Sequence, residues 1–341
     1  MDRLDLPEKE FLNGKLRLPV LGFGGAPLGG LLRANENAAA IEMIDATKAS
    51  GYHYYDTAPF YGFGRSERLV GDCLRGRDYV LSTKVGRLLK PGHPENPSAL
   101  GWPDPLPFTP VFDYSYDAIM RSYEDSLQRL GLDRIDMLFV HDIGEMTHGA
   151  AANAAHVAAL REDGYRALEQ LRSSGAVKAI GLGVNEIAMC REALTFGEWD
   201  VFLLAGRYTL LEQFALDDLL PECEERNTSI IIGGPYNSGA LVGGDTWNYV
   251  AIPKEVADKV KRLLDCAKAH DVPLPAAALQ FPLAHRAVVS VIPGLRDMDE
   301  LRQTMIWVST DIQPQFWQDL IQAGLIHADA PIPKGNPYRK D

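Results

Sequence analysis

A chain of 341 residues with 46% hydrophobic and 23% charged side chains has the material for a large buried core, which excludes a disordered, collagen-like or coiled-coil protein. Its 46 acidic against 34 basic residues give a net charge of -12, so no excess of cations is on offer to phosphates, which argues against nucleic acid and membrane as partners. The start is charged rather than apolar, no run of roughly 18 uncharged apolar residues occurs, and Cys73, Cys190, Cys223 and Cys266 show neither CxxC nor zinc-ligand spacing; reduced thiols in a cytoplasm, and no metal centre, are the expectation.

Asn13-Gly14 stands between Glu10-Phe11-Leu12 and Lys15-Leu16-Arg17-Leu18, the spacing and dipeptide of a two-residue type I′ hairpin. From there short apolar strands alternate with helices. The strands are expected at Val20–Gly24, Tyr54–Asp56, Val80–Thr83, Met137–Val140, Ala179–Gly183, Val201–Leu204, Ile230–Ile232 and Val288–Ile292. The helices between them carry apolar residues at three- and four-residue spacing, as at Ile119, Tyr123, Leu127 and Leu130. Strands that are apolar throughout and separated by helices form a parallel sheet covered on both faces, with right-handed crossovers. Eight such units close a single-domain (β/α)8 barrel. An open doubly wound sheet would ask for GxGxxG after the first strand, a spacing that LGFGGAPLGG (21–30) lacks.

A minimal barrel takes roughly 250 residues. The remainder goes to a tail after Thr310 and to three long connections, Arg87–Asp113, Asp142–Asp163 and Gly233–Pro253. All three follow strands, so they emerge at the C-terminal face, where barrel sites are built.

Asp56, Tyr61, Lys84 and His141 stand at or just beyond the ends of neighbouring strands on that face. A carboxylate, a phenol, an ammonium and an imidazole in one pocket make a proton-transfer site. An ammonium within about 4–6 Å favours tyrosinate and draws the phenol pKa down. Asp56 would hold Lys84 by a charge-assisted hydrogen bond, and a neutral His141 would orient the substrate oxygen. Singly, Asp56 reads as a turn residue, Lys84 and His141 as solvated strand ends, and Tyr61 as packing; nothing structural asks for all four together. A metal site of His53, Asp56, His141 and Asp142 is the competing chemistry, but it puts a lysine beside the metal, and alternation turns His53 away from Asp56.

The run GYHYYDTAPFYGFGRSERLVG (51–71) resembles the aldo-keto reductase signature. The resemblance extends to Ser82-Thr83-Lys84, Leu130-Gly131, Gly175–Gly181 and Val291-Ile292-Pro293-Gly294. It implies a barrel binding a nicotinamide cofactor, with Asp56, Tyr61, Lys84 and His141 as the catalytic tetrad and Tyr61 as general acid/base. Cofactor contacts implied by position are Gly24, Gly25, Asn185, Pro235, Asn237, Gly239, Gly294, Arg296, Glu300 and Gln303. The chain departs from the family at Val184 (usually serine), at Ala205 (usually glutamine) and at Gly233, where an aromatic commonly stacks on nicotinamide. NADPH-preferring members carry Lys-Ser and an arginine where this chain has Gly294, Leu295 and Glu300; a carboxylate there favours NAD, while Arg296 argues for NADP.

Within the family, Ile180–Glu186, His141-Asp142 and Gly233–Gly239 resemble a bacterial branch of aldose 1-dehydrogenases, acting on sugars such as L-fucose, D-arabinose and L-galactose, and of pyridoxal 4-dehydrogenase. The substrate is then a small sugar or a pyridoxal-like hemiacetal, with Phe60, Trp102, Phe108, His148 and Trp317 as pocket residues, in a monomer or small homo-oligomer. The alternatives are an NADPH-dependent aldehyde or ketone reductase and, from another class, a cofactor-binding regulatory or sensor subunit; the complete tetrad argues against the latter.

Overall fold

In the computed structural model, which describes residues 3–340, the chain enters through an antiparallel pair, β1 (Glu8–Glu10) and β2 (Arg17–Pro19), with Glu10 opposite Arg17. Residues 11–16 therefore lie between the strands, and not Asn13-Gly14 alone. The two-residue type I′ turn gives way to a longer loop in which Gly14 N–H donates to the Phe11 carbonyl at 2.9 Å and Phe11 N–H to that of Leu16 at 2.8 Å. Asn13 is drawn onto the barrel, its amide donating to Asp200 Oδ1 at 2.8 Å, the oxygen that Lys15 Nζ also reaches at 2.8 Å. Phe11 and Leu18 plug the floor of the barrel, packed with Tyr54, Val80, Met137 and Val201.

Chain order then gives β3 (Phe23–Gly24), β4 (Tyr54–Asp56), β5 (Val80–Val85), an antiparallel pair β6 (Arg87–Pro91) and β7 (Phe108–Phe112), β8 (Met137–His141), β9 (Ala179–Val184), β10 (Val201–Ala205), β11 (Ser229–Gly233), a small pair β12 (Thr246–Trp247) and β13 (Val250–Ala251), and β14 (Val288–Ile292). Eight of these form one parallel sheet in the order β3-β4-β5-β8-β9-β10-β11-β14. Bridges Leu21–Val291 and Gly24–Gly294 bring its two ends together. All eight expected strands are present, and the architecture is a (β/α)8 barrel. Helix Arg65–Leu74 packs closely on helix Tyr116–Leu130 at Gly71, where a Cβ would lie 1.8 Å from the Leu130 carbonyl oxygen.

Alternation along each strand sorts the side chains. Tyr54, Val80, Met137, Phe139, Ala179, Val201, Leu203 and Ile231 fill the interior. Two residues further along the same strands, the inward positions at the C-terminal mouth are Asp56, Ser82, Lys84 and His141 on one half, and Gly183, Ala205 and Gly233 on the other. One half of the mouth is filled and polar. The other is stripped to backbone.

The connections differ from expectation in one place. Asp142–Asp163 is mostly helix: Glu145–Ala159, bent at Gly149 (φ 71), runs through Leu160–Gly164 into helix Tyr165–Ser173. Its alanines are good helix formers. Arg87–Asp113 holds the β6–β7 hairpin, and Gly233–Pro253 holds the β12–β13 hairpin, with Asn248 (φ 49) and Tyr249 (φ 65) at its turn. Trp317, expected near the pocket, is 1% exposed and packs on Phe281 and Phe316, so it belongs to the core. No helix among the described residues is long and apolar enough to cross a membrane.

Candidate active site

The mouth of the barrel is organised around a buried ion pair. Asp56 opposes Ser82 across β4 and β5, and Lys84 lies one inward position beyond. Lys84 Nζ donates to Asp56 Oδ2 at 2.6 Å and to the Thr57 carbonyl at 2.9 Å, while Ser82 Oγ donates to Asp56 Oδ1 at 2.7 Å. Burial still raises the Asp56 carboxyl above its ordinary 3.8, with Lys84 and Ser82 opposing the shift. A pair this dry stabilises little by itself, because desolvation offsets the attraction. It does fix a cation at one point.

Tyr61 is placed above that cation by a turn with no spare room. Gly62 (φ 63) backs onto Gly29, where a Cβ would lie 2.4 Å from the Gly29 carbonyl. Ser66 Oγ donates to the Gly25 carbonyl and accepts from Thr57 Oγ1, both at 2.8 Å. Glu67, fully buried, accepts from Thr83 Oγ1 at 2.6 Å and Arg129 Nε at 2.5 Å. The serine and glutamate after Tyr61 thus anchor the loop rather than react. Lys84 Nζ stands over the Tyr61 ring, 4.7 Å from its centroid. The expected lowering of the phenol pKa is not reproduced: burial holds Tyr61 well above 10.0, Asp56, Asp142 and Tyr249 push the same way, and Arg87 opposes them.

His141, opposite Gly183 on β9, faces the Tyr61 ring edge-on at 5.6 Å between centroids. Burial first, then Arg87 and Lys84, hold its imidazole well below 6.5, so it is neutral. Its Nδ1 is buried without a partner, and Nε2 lies 3.4 Å from Asp142 Oδ2. The four expected residues converge. His53 does not join them; its Nε2 lies 3.9 Å from Asp78 Oδ2, and it lines a depression with Arg3 and Leu4.

Of the expected pocket residues, Phe60 and Trp102 are at the site. Phe60 packs on His141 at 6.1 Å, Trp102 on Tyr61 at 5.8 Å, and the Trp102 indole N–H is buried without a partner. Phe108 is not; it pairs with Pro91 at the far end of the β6–β7 hairpin, and Phe112 at the near end meets Phe60 instead. His148 is one step removed: its Nε2 meets the Tyr114 hydroxyl at 2.9 Å, and that hydroxyl donates to the His141 carbonyl at 2.9 Å. Burial and His156 lower its imidazole to about 4. Sequence reasoning missed Arg87, which is 3% exposed, lies over the Phe60 ring at 4.2 Å and donates to Asp142 Oδ2 at 2.8 Å. A charged residue three positions after Lys84, followed by an acid directly after His141, was the available signal.

A groove of about 220 Å³ runs from Asp56 and Tyr61 across the stripped half of the mouth, past Asn185, Ala205 and Gly233, to Pro235, Gly239, Gly24, Gly25 and Gly294. Its floor is largely backbone, lined by Gly24, Gly25, Gly206, Gly233, Gly234 and Gly294, and so leaves room for a flat ring and a phosphate-bearing chain. The residues present therefore fit a nicotinamide cofactor. Asn185 is steadied through its carbonyl, which accepts from Arg207 Nε at 2.7 Å.

Two expected contacts are revised, and two others stand at the edge of the groove. The Asn237 side chain is spent within the protein, donating to the Gly206 carbonyl and Glu212 Oε1, both at 3.1 Å, and accepting from Thr209 Oγ1 at 2.7 Å; it holds the loop's shape. Gln303 is exposed and does not line the groove. Glu300 Oε2 accepts from the Arg296 backbone N–H at 2.7 Å, and Arg296 Nη2 reaches the carbonyl of groove-lining Leu31 at 3.3 Å, so the two residues stand together at the groove's end.

Residues 20–323 match the model of the aldo/keto reductase family. Over 326 residues the chain is 44% identical to pyridoxal 4-dehydrogenase of Microbacterium luteolum, covering 91% of this chain and 95% of that protein. It is 37% identical over 325 residues to D-threo-aldose 1-dehydrogenase of a Pseudomonas species, with the same coverage. Among solved structures, the holo form of the aldo-keto reductase AKR11C1 from Bacillus halodurans superposes with a TM-score of 0.73 at 23% identity, over 97% of this chain and 99% of that one, a likeness of fold. Signature, tetrad geometry and full-length similarity agree, and the chain belongs to the aldo/keto reductase family.

Proposed function

We propose that the protein is a cytoplasmic, NAD-dependent dehydrogenase that oxidises the anomeric carbon of an aldose, or the cyclic hemiacetal of pyridoxal, to a lactone. The observation that carries this reading is the Asp56–Lys84 pair beneath Tyr61, with a neutral His141 at its edge, opening onto a groove whose floor is backbone. The relatives named pyridoxal 4-dehydrogenase and D-threo-aldose 1-dehydrogenase support the substrate class. A nicotinamide cofactor in the groove supplies the hydride acceptor. Ionised Tyr61, its charge stabilised by Lys84, takes the proton of the anomeric hydroxyl and becomes the neutral phenol, while His141 N–H steadies the same oxygen. Phe60, Phe112 and Trp102 exclude water from that oxygen.

Nicotinamide absorbance recorded with purified protein, NAD and L-fucose, L-galactose, D-arabinose or pyridoxal tests this directly. Reduction of NAD with at least one is expected; none with any of them overturns the reading. For the cofactor, Glu300 carries the preference. Glu300→Gln keeps an acceptor for the Arg296 N–H but removes the negative charge, and the affinity ratio of NADP over NAD rises about tenfold, as roughly 1.4 kcal/mol of relieved repulsion requires. Fluorescence titration with both cofactors reads it, and an unchanged ratio assigns the selection elsewhere.

A further inference from the structure

Asp142 directly follows His141 in an unusual conformation. Its φ of 39 lies in the left-handed region, which non-glycine residues seldom adopt and which clusters at functional sites. The backbone is held there by its N–H, which donates to the Gly183 carbonyl at 2.8 Å. The carboxylate is then fixed from one side only. Oδ2 accepts from Arg87 at 2.8 Å and lies 3.4 Å from His141 Nε2, while Oδ1 has no hydrogen bond among the described residues. Arg87 itself cannot follow a ligand outward, since it is buried and its guanidinium lies over the Phe60 and Phe112 rings at 4.2 and 5.3 Å.

The side chain of Asp142 is 24% exposed, and its charge reaches the phenols of both Tyr61 and Tyr249. A carboxylate anchored through one oxygen 3.4 Å from the reacting histidine, its other oxygen without a hydrogen bond among the described residues, is an acceptor awaiting a donor. The Trp102 indole N–H, buried without a partner on a ring that packs on Tyr61, is a second unsatisfied polar group beside the reacting tyrosine.

We propose that Asp142, braced by Arg87, determines substrate specificity by accepting a hydrogen bond from a second hydroxyl of the substrate, on the atom next to the reacting carbon. An aldose carries such a hydroxyl at C2, whereas the 3-hydroxyl of pyridoxal sits one atom further away and is an acidic phenol that ionises near neutral pH, so the assignment is to the aldose class. Simple aldehydes and alcohols leave the carboxylate without its partner and are disfavoured, as are substrates with an anion at that position. This assignment rests on the oxidoreductase reading above.

The test compares kcat/KM for D-arabinose with that for its 2-deoxy counterpart, 2-deoxyribose; turnover of pyridoxal without turnover of D-arabinose overturns the assignment alone. In the unsubstituted enzyme the hydroxylated substrate is preferred by at least about tenfold; no preference overturns the assignment without any variant. Asp142→Asn tolerates the left-handed backbone and removes the charge, and it lowers that preference about tenfold, chiefly through KM. Equal losses on both substrates show that Asp142 acts only through His141 and overturn the assignment alone. Absence of NAD- or NADP-linked turnover of every substrate by the unsubstituted enzyme overturns the oxidoreductase reading and this assignment with it.

Discussion

Tyr61→Phe lowers kcat by about 10²–10⁴-fold, the range expected for loss of a positioned acid/base group, and leaves affinity for the nicotinamide cofactor nearly unchanged. The substitution removes one oxygen from a ring that stays packed against His141 and Trp102, so binding and catalysis separate cleanly. The pH dependence follows from the phenol being held above 10.0 by burial. As a base Tyr61 must first lose its proton, so kcat/KM for oxidation rises with pH; as an acid it keeps its proton throughout, so the reverse reaction is level with pH below 10.0 and slows only above it. Steady-state rates in both directions, with cofactor titrations followed by protein fluorescence, read all of this. Full activity in the phenylalanine variant refutes the role.

Much of this site was legible in the sequence because it is built on strand ends. Asp56, Lys84 and His141 close runs of apolar residues, and period-two alternation carries them inward with Tyr54, Ser82 and Phe139. A barrel with β4, β5 and β8 adjacent leaves them nowhere else to go. What the sequence hid depends on pairings between distant residues. Phe112 reaches the wall in place of Phe108 because Arg87 pairs with Phe112 in the β6–β7 register, and nothing local specifies that register. The Asn13-Gly14 turn gives way to a longer loop in which Asn13 meets Asp200, far along the chain. Asn237 was assigned to the cofactor by position alone, whereas Thr209 and Glu212 already occupy its amide. Residues 145–159 form a helix inside a long connection, and the π-type turn that joins it to the next helix, at Leu160–Gly164, has no sequence mark.

The empty half of the mouth gives the departures at Ala205 and Gly233 a physical meaning. Both are inward positions at the ends of neighbouring strands, paired with each other in register. Larger side chains there would fill the groove's floor; a Cβ on Gly233 already comes 3.0 Å from Leu203 Cδ2. Proton chemistry and cofactor space are thus divided between the two arcs of one barrel. The polar arc must hold its geometry without help from the other.

That requirement makes Lys84→Met damaging to the fold. It leaves the Asp56 carboxylate, 2% exposed, with Ser82 but without a cation, and breaking a buried pair in this way costs about 3–5 kcal/mol. Burial already raises Asp56 above 3.8 in the presence of Lys84, and removing the cation raises it further. Between the unfolded and folded values the native state binds more protons than the unfolded chain, so stability falls as pH rises through that interval and is level above it. The interval is wider in the variant. Its deficit against the unsubstituted protein is therefore greatest near neutral pH and narrows on acidification, as Asp56 becomes neutral and no longer needs a cation. Urea melts across that pH range measure the gap; a gap that widens towards acid sinks the account. Adding Asp56→Asn to Lys84→Met removes the stranded charge and recovers part of the stability, the non-additive outcome expected of residues in contact. Turnover does not recover with it, because the cation over the Tyr61 ring is still missing, and that contrast separates the pair's part in the fold from its part in the chemistry.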